Sequence, residues 1–283
     1  MSSYADSDAI LEINKILPQH QAALTLLNGK LQNPIVGSFK WLDLACGKGQ
    51  VISQLNDNLS PTQRGKLIYL GYDINVEFTR AAERIADSLQ LADYNFEQGE
   101  MSKFNEIIDT DLKFDFITCT NTAHELQPGA FAQILLNSMT RLTTQGELFV
   151  YDMESLEKPE LGALPWHTSE IKTLLYAAFE ELGTDFRAEP SGWIHKSCRG
   201  WSVTIQRHFL NKSDEDIINA KDKITSRIDK EIDTILHERL KVCNKKLQSF
   251  YRFGADTGND YTTLITSLFE FWALNMAIGK RVC

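Results

Sequence analysis

The sequence predicts an α/β protein: a seven-stranded, mostly parallel sheet with helices on both faces, N-terminal helices before it and a C-terminal helical extension after it. Three observations lead there. Strand-like apolar runs at 39–45, 66–72, 94–97, 114–120 and 147–151 alternate with helical patterns at 76–91, 102–108 and 130–142, the mark of βαβ units. Two further strand candidates, 193–195 and 201–209, flank Cys198-Arg199-Gly200 and are expected to pair antiparallel at the sheet edge. Beyond Leu210 the pattern changes to a long run with apolar residues three and four apart.

Taken in order, the apolar residues from 10 to 31 recur near helical spacing and break at Pro18, which predicts two short helices. The run 39–45 ends at Cys46-Gly47-Lys48-Gly49 and is followed by a helical stretch over 50–55: strand, glycine turn, helix. A helical pattern at 169–182 precedes the two edge strands. Ile217, Lys221, Ile224, Ile228, Ile232, Ile235, Leu236 and Leu240 then mark a single long amphipathic helix. A loop over 253–260 with Gly254 and Gly258 separates it from a last apolar helix at 261–278, so the tail is expected to form a helical hairpin. Its most apolar part, 264–278, is interrupted by Glu270 and Asn275 and is shorter than the ~20 residues a bilayer needs, which predicts a buried helix. The domain organisation expected is an N-terminal helical lid (1–37), the α/β domain (38–210) and the hairpin extension (211–283).

Composition narrows the function. The 283 residues carry 29 Lys+Arg against 38 Asp+Glu, a formal charge of −9, and lack the basic footprint of a nucleic-acid or anionic-membrane binder. The acidity sits before residue 212, where the net charge is −10, while 212–283 carries +1. Five cysteines, at 46, 119, 198, 243 and 283, form no C-x-x-C pair and are odd in number, which fits reduced thiols rather than disulfides or a structural zinc site. No metal site is read from the sequence. The first eleven residues carry Asp6 and Asp8 where a signal peptide needs a positive start and an apolar run. A cytoplasmic protein is expected.

The informative cluster is Asp43-Leu44-Ala45-Cys46-Gly47-Lys48-Gly49, where the first strand turns into the first helix. Glycines there permit positive φ and close approach of a ligand, and a helix start offers unpaired N–H groups, so a nucleotide-like cofactor is expected. The dinucleotide fingerprint is incomplete, because Gly47 and Gly49 are followed by Gln50, Val51 and Ile52 with no third glycine, which disfavours nicotinamide binding. The pattern instead resembles motif I of the class I S-adenosylmethionine-dependent methyltransferases, whose fold is Rossmann-like. The resemblance spans roughly 39–209 and assigns Asp43, Ala45, Cys46, Gly47 and Gly49 to the cofactor turn. It also implies that Asp73, ending the second strand, accepts hydrogen bonds from both ribose hydroxyls, with Ile74 beside it; capping the next helix is a compatible role. Glu100 and Met101 fall where that family places an acceptor for the adenine amino group and an apolar cover for the ring.

After the fourth strand, Thr120 or Asn121 would supply acceptors to the cofactor's amino group, and His124 and Glu125 would face the substrate. The sulfonium is an activated donor, so the protein needs only to align a nucleophile and take its proton. His124 is the candidate general base, with a structural histidine as the alternative; Glu125 either orients it or favours a helix N-terminus. Asp152 and Glu154, closing the fifth strand, point to the active-site rim together with Glu157 and Glu160, and the loop 155–167 is a candidate lid. Asn-Pro-Pro-Tyr and Asp-Pro-Pro-Tyr are absent after the fourth strand, which argues against methylation of an exocyclic base amine or a glutamine amide, and Cys119 without a preceding proline is read as a core thiol. The function expected is transfer of a methyl group to an oxygen or nitrogen of a small molecule, leaving S-adenosylhomocysteine. The alternatives are a catalytically silent cofactor-binding scaffold or partner subunit, and a protein methyltransferase; the C-terminal helices leave open a homodimer or a partner protein.

Overall fold

The computed structural model of the chain describes residues 18–33, 37–156, 160–195, 198–254 and 258–279. It comprises two compact units: Met1–Thr122 with Gln133–Tyr151 and Ser202–Asn219, and Ala123–Ala132 with Asp152–Trp201 and Ala220–Cys283. The first unit opens with α1 (Pro18–Leu31), β1 (Phe39–Leu44), α2 (Leu55–Asn58), α3 (Pro61–Arg64) and β2 (Leu67–Asp73). It continues with α4 (Val76–Ala86), β3 (Asp93–Gln98), α5 (Phe104–Ile107) and β4 (Phe114–Thr120). There follow α6 (Pro128–Arg141), β5 (Leu142–Ser155), α7 (Thr168–Glu181), β6 (Ser191–His195), β7 (Cys198–Gln206), α8 (Asp214–Phe253) and α9 (Gly258–Gly279). Of these, α7, β6 and α9 belong wholly to the second unit.

The seven strands lie in the order β3-β2-β1-β4-β5-β7-β6. Neighbours from β3 to β5 pair in parallel. Only two residues separate β6 from β7 in the sequence, too few for a parallel crossover, so the sheet is mixed at this edge. Central β1 is buried almost throughout, as a strand covered on both faces must be, whereas edge strand β3 alternates and exposes Asp93 and Asn95, which blunts the edge against further pairing. The chain moves outward from β1 to β3 and then returns to β4 on the other side of β1. The gap beyond the carboxyl ends of β1 and β4 is the switch point where open α/β sheets bind ligands.

Aromatic packing closes the first unit beneath that point. Trp41, Tyr69 and Phe116 are fully buried, with the Trp41 and Tyr69 rings edge-on at 4.9 Å. Arg141 reaches back over α5, where its guanidinium donates to the Asn105 side chain and to the carbonyls of Ile108, Asp109 and Leu112, satisfying backbone groups that a four-residue helix leaves open. Lys30 of α1 neutralises the buried Glu147 of β5 at 2.9 Å.

Helix α1, which starts at Pro18, where a missing N–H does no harm, is the second of the two expected N-terminal helices; residues 1–17, including most of the expected lid, lie outside the described residues. Several elements differ from expectation. The expected helix at 50–55 is a 3₁₀ turn at Ile52–Gln54 followed by two single-turn helices, because Ser60 and Gln63 form a capping box around Pro61 and start a new helix there. Strand β5 runs on to Ser155, and α8 has 40 residues.

In the second unit the stripe Ile224, Ile228, Ile232, Leu236, Cys243 and Leu247 of α8 is buried. Helices α8 and α9 lie antiparallel, with Arg239 paired to Glu270 at 2.8 Å and the Cys243 thiol on the Ser267 carbonyl at 3.1 Å. The buried-helix expectation for 264–278 holds on one face only: Ala273, Leu274 and Ala277 are buried, while Leu268, Trp272 and Met276 are exposed. No helix among the described residues is long and apolar enough to cross a membrane.

Candidate active site

The first constellation sits at the carboxyl ends of β1, β2 and β4, within the first unit. Leaving β1, the chain turns through Ala45, Gly47 and Gly49, all at positive φ (57°, 57° and 86°). Gly49 is required twice over: besides its φ, a Cβ there would meet the Ala82 backbone of α4 at 3.1 Å. Asp73, ending β2, holds the turn from the side. Its Oδ2 accepts the Gly47 N–H and its Oδ1 the Asn75 N–H, both at 2.9 Å. Burial raises its carboxyl above the usual range, against the pull of the Asn75 and Gly47 N–H groups. Each oxygen has used one lone pair and keeps another, so the carboxylate can accept a vicinal diol without releasing the turn. Beside it Ile74 is 67% exposed, an apolar face at the mouth of a polar turn, suited to a flat ring.

Asp43 has a different surrounding. It is 1% exposed, Thr118 donates to Oδ1 at 2.6 Å and Tyr69 to Oδ2 at 3.0 Å, and Trp41 Nε1 donates to the Thr118 hydroxyl at 2.8 Å. Burial pushes its carboxyl up to about 6, against the two hydroxyl donors. This network ties β1, β2 and β4 together directly beneath the turn. Asp43 therefore acts on the turn from below.

The second constellation lies within the second unit. His124 is 2% exposed, and Asp152 grips it twice: Oδ2 accepts the backbone N–H and Oδ1 bonds ring Nδ1, both at 2.6 Å. Nε2 faces Glu125 Oε1 and Glu160 Oε2, each at 3.9 Å. Burial disfavours the charged ring, yet Asp152, Glu125 and Glu160 outweigh it and hold the ring above the ordinary histidine range. The loop that carries Glu160 is tied to the same residue, since the Leu164 N–H donates to the His124 carbonyl at 2.7 Å. An imidazole fixed through Nδ1 by a carboxylate and presenting Nε2 is the arrangement of a general base.

The sequence matches the methyltransferase-domain family over residues 36–176. Among solved structures, magnesium protoporphyrin IX methyltransferase from Synechocystis with bound SAH aligns at a TM-score of 0.51 and 12% identity, covering 73% of this chain and 95% of that chain. The carbon methyltransferase CurJ aligns at a TM-score of 0.51 and 14% identity, covering 67% and 54%. Residues 36–176 are a methyltransferase domain of the S-adenosylmethionine-dependent kind. No curated protein matches its sequence. In this methyltransferase the cofactor is S-adenosylmethionine.

The methyltransferase brings Ala45, Cys46, Gly47, Gly49, Asp73 and Ile74 together at one turn. Cys46 is a buried thiol there, pushed well above its usual range by burial and by Asp43 and Asp73. Glu100 is held by the Ser102 hydroxyl at 2.8 Å, and Met101 is buried with its sulfur 3.8 Å from Cys119 Sγ, within the core where that thiol was expected. Thr120 ends β4 nearly buried, and Asn121 follows at φ 57° with its N–H on the Tyr151 carbonyl at 2.7 Å. The residue that orients His124 is Asp152 rather than Glu125, and Glu160 joins them. Sequence reasoning placed both acids only on a rim. The available signal was the β4–β5 register: Thr120, the last residue of β4, lies opposite Tyr151, so Asp152 of β5 sits at the level where the chain leaves β4. Glu157 lies outside the described residues. Glu154 accepts the Thr168 hydroxyl at 2.9 Å and faces His167 Nδ1 at 3.1 Å, an anchor for the start of α7.

Proposed function

We propose that this methyltransferase moves a methyl group to an oxygen or nitrogen of a small molecule, with His124 as proton acceptor. The carrying observation is the Asp152–His124 pair, a buried imidazole locked through its backbone N–H and Nδ1 so that Nε2 remains to take a proton. S-adenosylmethionine supplies an electrophilic methyl group when bound. The turn at Ala45–Gly49, Asp73 and Ile74 would hold it; Asp43, through Thr118 and Tyr69, keeps the turn in place. Asp152 fixes the ring and favours its protonated form once the proton has moved. The chain's net charge of −9 and the carboxylates around His124 support a small acceptor over a polyanion. Buried free thiols at Cys46, Cys119 and Cys243 suit a reducing, cytoplasmic location.

The test is calorimetric titration with S-adenosylmethionine and S-adenosylhomocysteine, with NAD as control, followed by a screen of small hydroxyl and amine acceptors. With an acceptor found, His124→Gln is expected to slow single-turnover methyl transfer roughly 100- to 10,000-fold, as for loss of a general base, with cofactor affinity unchanged. Full transfer rates in that variant would remove His124 from the reaction.

A further inference from the structure

Three carboxylates surround one imidazole in the second unit, and only one of them is used to orient it. Asp152 takes Nδ1, which leaves the in-plane lone pair of Nε2 directed at Glu125 and Glu160. The ligand-type atoms of His124, Glu125 and Glu160 all lie within 4.8 Å of one another. Nε2 makes no hydrogen bond among the described residues, although the ring is almost completely buried.

We propose that His124 Nε2, Glu125 and Glu160 bind a first-row divalent cation. Three donors each about 2.1 Å from one ion in a tetrahedral set lie about 3.4 Å from one another. The two Nε2–carboxylate distances of 3.9 Å must close by about half an ångström, and the third pair, within 4.8 Å, by up to about 1.4 Å. That adjustment falls to the two glutamates, whose side chains are 46% and 26% exposed. The histidine stays in place, as a good ligand should: a carboxylate on Nδ1 fixes the tautomer and makes Nε2 more basic, the usual outer support of a metal-bound imidazole. Glu160 is delivered by a braced loop, tied to the His124 carbonyl through Leu164 and held by Arg239, which donates to the Pro165 carbonyl at 2.8 Å. One nitrogen and two carboxylate oxygens favour Zn²⁺, Co²⁺ or Mn²⁺ over Mg²⁺ and Ca²⁺, and three protein donors leave positions for exogenous ligands. The inference rests on the functional reading only in sharing His124: in the cation-loaded chain the Nε2 lone pair is a metal ligand and is not available to a proton.

The test uses the untagged full chain, stripped with chelator and desalted, and titrated with Co²⁺. One equivalent is expected, with visible d–d absorption that Zn²⁺ abolishes and Mg²⁺ does not. Glu160→Gln and Glu125→Gln should each weaken Co²⁺ binding at least about ten-fold while S-adenosylhomocysteine affinity, read by calorimetry on the same preparations, stays unchanged. Pulsed electron paramagnetic resonance of the Mn²⁺-loaded parent should show one imidazole nitrogen, a readout that needs no variant. Absence of saturable binding, binding indifferent to both substitutions, or an ion without an imidazole nitrogen overturns the proposal. Failure of the cofactor titration would overturn the methyltransferase reading and leave the cation result standing.

Discussion

Asp73 is the residue on which cofactor affinity should depend most. Its carboxylate accepts two backbone N–H groups at 2.9 Å and, in the reading given above, the two ribose hydroxyls on its remaining lone pairs. In Asp73→Ala the cofactor loses two hydrogen bonds to a charged group, about 1.5 to 3 kcal/mol each, or about 3 to 6 kcal/mol. This corresponds to a rise in Kd of roughly 100- to 10,000-fold. Part of the loss is indirect, because Gly47 at φ 57° is released from the acceptor that holds its N–H. Asp73→Asn separates the two contributions: its amide oxygen still takes one turn N–H, while its NH₂ group faces the other N–H or a hydroxyl as a second donor. The expected order of affinity is parent, then Asn, then Ala. Calorimetry with S-adenosylhomocysteine reads it, and thermal unfolding without ligand reports the turn alone. Affinity within about three-fold of the parent in the alanine variant would remove Asp73 from the cofactor site; a ten-fold change is about 1.4 kcal/mol, well below the smallest expected loss.

Gly49→Ala should destabilise the chain by about 1 to 3 kcal/mol, because it puts a Cβ at a φ of 86° and against the Ala82 backbone; a denaturant midpoint equal to the parent's would contradict the close approach. Arg239→Ala leaves Glu270 and Glu170 without the cation that pairs them at 2.8 and 3.5 Å and frees the Pro165 carbonyl, with an expected loss of about 2 to 3 kcal/mol by calorimetric unfolding and refutation at under about 0.5. Stability between pH 4 and 6 carries two opposed contributions from the first unit. Burial lowers His20 to about 4, so the unfolded chain binds the extra proton and stability falls on acidification; Asp43, raised to about 6, binds its proton in the folded chain, and stability rises. Relative to the parent, Asp43→Asn should therefore lose and His20→Gln should gain about 2 kcal/mol from pH 6 to 4, read from urea midpoints. Parallel pH profiles of the two variants would show that neither group is shifted.

The parts of the fold legible in the sequence are those where a local pattern is itself the physical cause. Apolar runs punctuated by Gly and Pro mark the central strands because β1 and its neighbours are buried on both faces, and Gly49 marks the turn because a side chain there would sit at a left-handed φ and crowd Ala82 of α4. The single-turn helices between β1 and β2 are set instead by the Ser60–Gln63 cap, which a periodicity argument passes over. The role of Asp43 was hidden for a different reason. An acid ending a strand before a glycine turn looks like a cofactor ligand, but its surroundings come from Tyr69 on β2 and Thr118 on β4, 26 and 75 residues away.

The same holds at His124. The histidine and Asp152 each stood out in the sequence, yet their pairing follows from the register of parallel neighbours β4 and β5, in which Thr120, the last residue of β4, lies opposite Tyr151, the residue before Asp152. A strand order is needed before that register can be drawn. Glu160 reaches the ring through a loop fastened by the Leu164 N–H and Arg239, contacts that belong to no periodic pattern. The motif residues thus bring the chain's cofactor chemistry into view, whereas the acids around His124 become a site only once strand register and loop fastening bring them to one nitrogen. A substitution there should change proton or cation affinity at that nitrogen and leave cofactor affinity alone, which is the separation that the Glu160→Gln and Asp73→Asn pair measures.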